Sequence, residues 1–321
     1  MSLQSWIESH GFVMGEGSLY ERLRRDPAVR FDQHIAHAGL IYDPKSREVL
    51  IGVHRQYLDI GRDHGIAMLT GSPTWRANKE RVARSAFAGT NVNRDAMRFM
   101  IELRQEHYDD GAPIRIAGQC GPKGDAYRPE EAPDTETAEA FHRHQIEELA
   151  EGGAEFLMAL TLPAFPEALG MARAMAVTGL PYVISFVIRP DGTLLDGTGL
   201  DDAIERIDIG TSRPPDTYNV NCVHASVFAS ALTVLARRNP AARSRVSGLH
   251  ANTSARSPEE LDGLDVLETE APGDFGANMW KLRIDFGATV LGGCCGTSTA
   301  HMAALARLAA SDQLPHPDCP R

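Results

Sequence analysis

Cysteine is scarce in this 321-residue chain, with five residues in all. That is too few for a disulfide-stapled scaffold, and a chain with 43% hydrophobic residues can bury a large core without staples. Long apolar runs are also missing. No stretch approaches the roughly 20 apolar residues of a membrane helix. The opening MSLQSWIESHGF lacks the basic flank and apolar core of a secretory signal. Nor is there a basic excess. Asp and Glu number 43 against 32 Lys and Arg, a formal net charge of -11, which repels phosphate backbones and anionic lipid. Together these absences predict a soluble cytoplasmic protein with no nucleic-acid or membrane partner. In that setting, neighbouring cysteines read as metal ligands or reactive groups rather than disulfides.

What the chain does contain is alternation. Strand-like apolar runs fall at Gly11–Gly15, Ile66–Ser72, Ile114–Gln119, Ala154–Thr161, Tyr182–Ile188, Tyr218–Cys222, Arg245–Thr253 and Thr289–Gly293. Between them lie helical stretches: Glu48–Arg62, Lys79–His107, Asp134–Glu151, Pro166–Thr178, Asp201–Ile207 and Ala225–Arg237. Two pieces follow around Pro258–Leu267 and Phe275–Ile284, and a closing helix spans Ser298–Ala310. The strands are apolar throughout, as expected where helices bury both faces of a parallel sheet. Eight βα units predict an α/β fold, a closed (β/α)8 TIM barrel, forming one domain over 1–312 with a loose tail at 313–321. The competing architecture is an open doubly wound sheet. Against it, GEGSLYERL after the first run has Gly15 and Gly17 but no third glycine, and no acidic residue follows on the next strand.

Barrels of this type take their reacting groups from the C-terminal ends of strands. Cys222 ends strand six, and Cys294 and Cys295 end strand eight within VLGGCCGTSTAH. One strand separates six from eight, so the three thiols share a rim. Three thiolates make a zinc ligand set that leaves a fourth position open. Gly292, Gly293 and Gly296 permit the sharp turn that two adjacent ligands require, and the start of the last helix favours a thiolate nearby. A buried cysteine can also be a small apolar residue, and a vicinal pair can form a strained disulfide; convergence on one rim favours the metal. Cys120, ending strand three, reads as packing or a minor pocket contact, and Cys319 as incidental. His34 and His37 lack a carboxylate partner and read as surface or packing residues. His224 shapes the pocket or packs, His301 caps or packs, and Ser185 is structural. Asp196 and Thr198 mark a loop signature.

NVNCVHAS (Asn219–Ser226) and LGGCCGTSTAH (Leu291–His301) resemble the zinc-dependent homocysteine S-methyltransferase family. VHRQYLDIG, AGQCGPKGDAY, FHRHQIEELAEGGAEFLM, ISFVIRPDGTLLDGTGL and ANTS agree in order, so the resemblance spans nearly the whole chain. It implies a (β/α)8 barrel holding Zn2+ on Cys222, Cys294 and Cys295. It also implies an enzyme of methionine metabolism that moves a methyl group from a sulfonium, ammonium or folate donor to a zinc-bound thiol such as homocysteine. Zinc in an open site can take the proton from a substrate sulfur, which leaves alignment of two small-molecule substrates as the protein's main task.

The chain departs from the family pattern around the substrate. On strand four the family has a Glu-Thr pair whose Glu holds the amino group of homocysteine; here Leu160 and Thr161 stand there, and leucine cannot bind an ammonium. GEGSLYERL lacks the family's opening Asp, and TGSPTWRAN differs from its strand-two pattern. A different thiol or donor is therefore open. Glu16, near the tip of strand one, is a candidate contact for a cationic donor or else a solvated carboxylate. Thr70 and Arg76 lie in the altered strand-two segment, where Arg76 can meet a substrate carboxylate or remain an exposed loop residue. Asn221 and Asn252, ending strands six and seven, can bind a carboxylate or support the zinc shell. A second reading is a non-catalytic zinc- or thiol-binding barrel acting as sensor or carrier. The missing Glu favours it, and the three thiols count against it. A zinc hydrolase would want His or carboxylate ligands and a general base, and no such set is present. The donor and the oligomeric state are not encoded in any motif here.

Overall fold

Eight parallel strands close on themselves in chain order. The computed structural model describes residues 2–109, 111–256 and 269–313. The strands are β1 Val13–Gly15, β2 Ala67–Gly71, β3 Ile114–Cys120, β4 Phe156–Leu162, β5 Tyr182–Phe186, β6 Thr217–His224, β7 Val246–Asn252 and β8 Val290–Gly293. Closure runs through β8 to β1, with Val13 opposite Val290 and Met14 opposite Leu291. Period-two alternation sorts each strand into two faces. Val13, Ala67, Leu69, Ala117, Phe156, Met158, Val183 and Val290 fill the interior, with Leu160 packed at its edge. Met14, Met68, Ile116, Leu157, Ile184, Val220, Leu249 and Leu291 join the larger core between strands and helices. This is why the runs read as continuously apolar.

A helix the periodicity did not single out, Leu3–His10, stoppers the lower end. Leu3, Trp6 and Ile7 pack into the interior cluster, and the Leu3 amide donates to Asp216 at the foot of β6, 3.2 Å away. Each buried side chain of this size contributes about 1.5–3 kcal/mol, so the plug binds firmly under the barrel. The helix Pro44–His64 shows why local sequence sets helix bounds. Asp43 caps it through the Ser46 amide, Pro44 opens it, and Gly65 ends it at φ 67°. The stretch Lys79–His107, expected as one helix, is two: Lys79–Arg84 and Val92–His107. The linker carries Gly89 at φ 86°, which cannot continue a right-handed helix. The last helix runs Thr299–Gln313. The expected helical piece Pro258–Leu267, and residues 314–321 with Cys319, lie outside the described residues. Among the described residues, no helix is long and apolar enough to cross a membrane.

The polar loop after β3 is pinned from below. Glu167, fully buried, accepts the Lys123 amide at 2.7 Å and lies 2.8 Å from His142 Nε2. That anchor holds the loop over the barrel mouth, where it delivers Tyr127 to the site.

Candidate active site

At the open end, Cys222 on β6 meets Cys294 and Cys295 just beyond β8. Their Sγ atoms all lie within 4.8 Å of one another, with Cys222 and Cys295 3.6 Å apart. Sulfurs about 2.3 Å from a tetrahedral zinc would stand roughly 3.8 Å from each other, so the trio has the spacing of a three-thiolate metal site. The four described cysteines are free.

Regular strand geometry would not aim Cys222 this way. Its backbone sits at φ 61°, at a register shift between β6 and β7. Thr161 sits at φ 63° at a matching shift between β4 and β5. Such left-handed conformations cost about 1–2 kcal/mol each for residues with a Cβ, and bulges of this kind re-aim side chains. One side chain holds both. Asn221 Oδ1 accepts the Thr161 amide at 2.9 Å and the Ser185 hydroxyl at 2.6 Å, and its Nδ2 donates to Thr161 Oγ1 at 2.9 Å. Asn252 Nδ2 donates to the Cys222 carbonyl at 2.9 Å.

The adjacent pair is fixed by its backbone. The Cys294 amide donates to the Ala251 carbonyl at 2.7 Å, and the Cys295 carbonyl accepts the Thr253 amide at 3.2 Å. Thr297 Oγ1 donates to the Cys294 carbonyl at 2.7 Å. Gly296 has φ 84°, and a Cβ there would stand 1.9 Å from Thr253 Oγ1. The turn therefore requires glycine at this position.

The three close-set thiols cannot all ionise together. Hydrogen bonds from Cys294 and Cys295 hold the Cys222 thiol well below the usual range, and donation to Cys222 pushes the other two well above it. A divalent cation would supply the charge that lets three thiolates coexist. Tyr127 Oη lies 2.8 Å from Cys222 Sγ. Burial, then the neighbouring thiolates, push its phenol up, so it stays protonated and donates. Sequence reasoning missed Tyr127. Its segment, AGQCGPKGDAY, carries the family resemblance, but nothing in a polar loop marks which residue reaches the cysteines.

The other candidates take varied positions. Glu16 and Thr70 turn toward His54 on the helix Pro44–His64, outside the barrel. Glu16 Oε1 lies 2.7 Å and Thr70 Oγ1 3.5 Å from His54 Nδ1, and all three residues are buried. Arg76 stacks on the Trp75 ring at 4.4 Å and donates to the Gly124 carbonyl at 2.9 Å. It has no ion-pair partner among the described residues. Cys120 is fully buried in the core between strands and helices, with its thiol pushed up by burial. His37 is also buried. His224 caps the helix Ala225–Arg238 through the Ser226 amide. His301 Nδ1 accepts the Ser298 amide at 3.1 Å. Asp196 accepts the amides of Phe165 and Thr198, tying its loop to the helix Phe165–Ala176.

The same barrel occurs in known proteins. A family model described as homocysteine S-methyltransferase matches residues 13–309. The homocysteine S-methyltransferase of Escherichia coli (strain K12) is 28% identical, over 94% of this chain and 97% of that protein. The homocysteine S-methyltransferase YbgG of Bacillus subtilis (strain 168) is 22% identical, over 96% of this chain and 98% of its own. Among solved structures, the metallated form of the homocysteine methyltransferase MmuM from Escherichia coli has a TM-score of 0.73 at 21% identity. The match covers 95% of this chain and 99% of that one, and at that identity the likeness is one of fold.

Proposed function

Because the chain belongs to the homocysteine S-methyltransferase family, we propose that it is a zinc-dependent enzyme moving a methyl group from a sulfonium or related donor to a thiol such as homocysteine. S-methyl transfer, an EC 2.1.1 activity, comes with the family. Zinc, donor and acceptor are our reading. The observation that supports the metal is the convergence of three Sγ atoms within 4.8 Å at the open end of the barrel. Cys222, Cys294 and Cys295 would hold the ion. When bound, zinc supplies the charge that lowers a substrate thiol's pKa and keeps it a thiolate at neutral pH.

The chain's own residues prepare that chemistry. Asn221 and Asn252 keep Cys222 turned to the mouth. Tyr127 covers Cys222 and donates to it. Arg76, a cation without an ion-pair partner among the described residues, is the candidate partner for a substrate carboxylate. The acceptor sulfur forms a bond to the methyl carbon as the donor's sulfur–methyl bond breaks. The bonding pair stays on the donor sulfur, which leaves as a neutral thioether, and the acceptor's proton passes to solvent. Alignment of the two sulfurs is the protein's main contribution. We take residues 1–312 as the catalytic unit, working in the cytoplasm, where thiols stay reduced.

The test is methionine formation from S-methylmethionine and homocysteine by reduced, zinc-loaded protein. Wild type forms methionine and Cys294→Ala does not. Zinc-loaded wild type that forms none would exclude this donor–acceptor pair, and protein that takes up no zinc would exclude the metal.

A further inference from the structure

Two polar side chains point into the barrel mouth and have no hydrogen-bond partner among the described residues. His250 on β7 lies between the strands that carry the cysteines, opposite Asn221 of β6 and Gly292 of β8. Its ring fills a notch made by two glycines. A Cβ on Gly15 would stand 2.4 Å from His250 Nε2, and one on Gly292 2.4 Å from Cδ2. Gln119 on β3 sits across the barrel in a notch of the same kind, where a Cβ on Gly71 would stand 2.1 Å from its Nε2. Any other residue at these glycines would displace the two side chains, so the lumen is shaped to hold them. Both are partly exposed. His250 Nδ1 is buried without a partner among the described residues, and an unmet buried polar atom costs about 1–3 kcal/mol.

Of the other inward polar groups, Ser185 and Asn221 bond to each other. Leu160, between β3 and β5, adds an apolar wall. Glu16 is turned away to His54. The inward ring therefore carries hydrogen-bonding capacity and no charge.

We propose that Gln119 and His250 bind the polar head of the acceptor thiol, recognising it through hydrogen bonds to neutral groups while its sulfur lies at the three cysteines. The inference rests on reading the mouth as a thiol-methylation site. Burial keeps the His250 imidazole neutral, with its pKa pulled down to about 4, so it offers one N–H and one lone pair. The Gln119 carboxamide likewise offers both donor and acceptor. The two stand on opposite sides of the opening, β3 against β7, so a short chain lying across Leu160 can reach from the cysteines toward Gln119.

The test compares three thiols of similar chain length: homocysteine, 4-mercaptobutyrate and 1-propanethiol, which has no head. Their dissociation constants for the zinc-loaded protein are measured by calorimetry, without turnover. The expected result is that wild type binds at least one headed thiol more tightly than propanethiol. Gln119→Met and His250→Leu each weaken that thiol about ten- to a hundredfold, the effect of one hydrogen bond to a charged group, while zinc content and the propanethiol constant hold. Equal affinity for headed and headless thiols in wild type overturns the inference, as do variants that weaken all three alike. Failure of every thiol, propanethiol included, overturns instead the reading of the mouth as a thiol site, and this inference with it.

Discussion

Replacing Asn221 with alanine should damage both stability and metal binding, and the size of the damage can be worked from its contacts. The side chain makes three hydrogen bonds, two to Thr161 and one to Ser185, all buried. Each contributes about 1 kcal/mol net, and the Thr161 amide and Ser185 hydroxyl would be left unmet at about 1–3 kcal/mol apiece if no water reached them. Relaxation of Thr161 and Cys222 from φ 63° and φ 61° returns part of that, about 1–2 kcal/mol per residue. The expected net loss is about 3 kcal/mol in denaturant unfolding. The same relaxation turns Cys222 away from its partners, so zinc affinity in a chelator competition falls with it. Ser185→Ala, which removes one bond, should cost about 1 kcal/mol and leave zinc affinity near wild type. A loss below about 1 kcal/mol for Asn221→Ala, with unchanged zinc affinity, would refute the idea that this side chain holds the bulges.

Gly296→Ala places a Cβ 1.9 Å from Thr253 Oγ1 at φ 84°. It should destabilise by about 2–4 kcal/mol and lower zinc occupancy on metal analysis; full occupancy would show that the turn tolerates a side chain. Tyr127→Phe removes the donor to Cys222, so the thiolate's titration in metal-free protein, followed by ultraviolet absorbance, should move to higher pH, and an unmoved curve would contradict that role. His37 sets part of the acid stability. Burial pulls its pKa from 6.5 to about 3, so the unfolded chain binds a proton that the folded chain refuses between those values. Stability from this residue is present above pH 6.5 and declines on acidification by up to about 1.4 kcal/mol per pH unit. Between pH 7 and 5, wild type should lose about 2 kcal/mol more than His37→Gln; parallel losses would contradict this.

The barrel was legible because its two interiors are both apolar. Strands buried on both faces read as unbroken runs, and eight such runs with helices between them leave few topologies. The thiol trio was legible because strand-end position alone brings Cys222, Cys294 and Cys295 to one rim. Residues whose placement depends on a side chain's direction were harder to read. Glu16 and Thr70 sit near strand tips, yet alternation and bulges decide which face they take, and both face His54. Tyr127 reaches Cys222 only because Glu167, 40 positions along the chain, pins its loop through the Lys123 amide. His250 and Gln119 were invisible for a related reason: their direction into the lumen shows in the glycine notches opposite them, and a notch exists only after strands pair. The helix Leu3–His10 escaped notice because its apolar residues are few; tertiary burial under the barrel makes it a plug.

On the reading proposed above, three cysteines hold a zinc ion and leave one position free for the substrate's sulfur. X-ray absorption at the zinc edge, on reconstituted protein before and after addition of homocysteine, tests it most directly. One zinc per chain is expected, with three sulfur neighbours and one lighter atom, changing to four sulfurs when the thiol is added. A site that already has four protein ligands, or one whose sulfur count stays at three with the thiol bound, would contradict it.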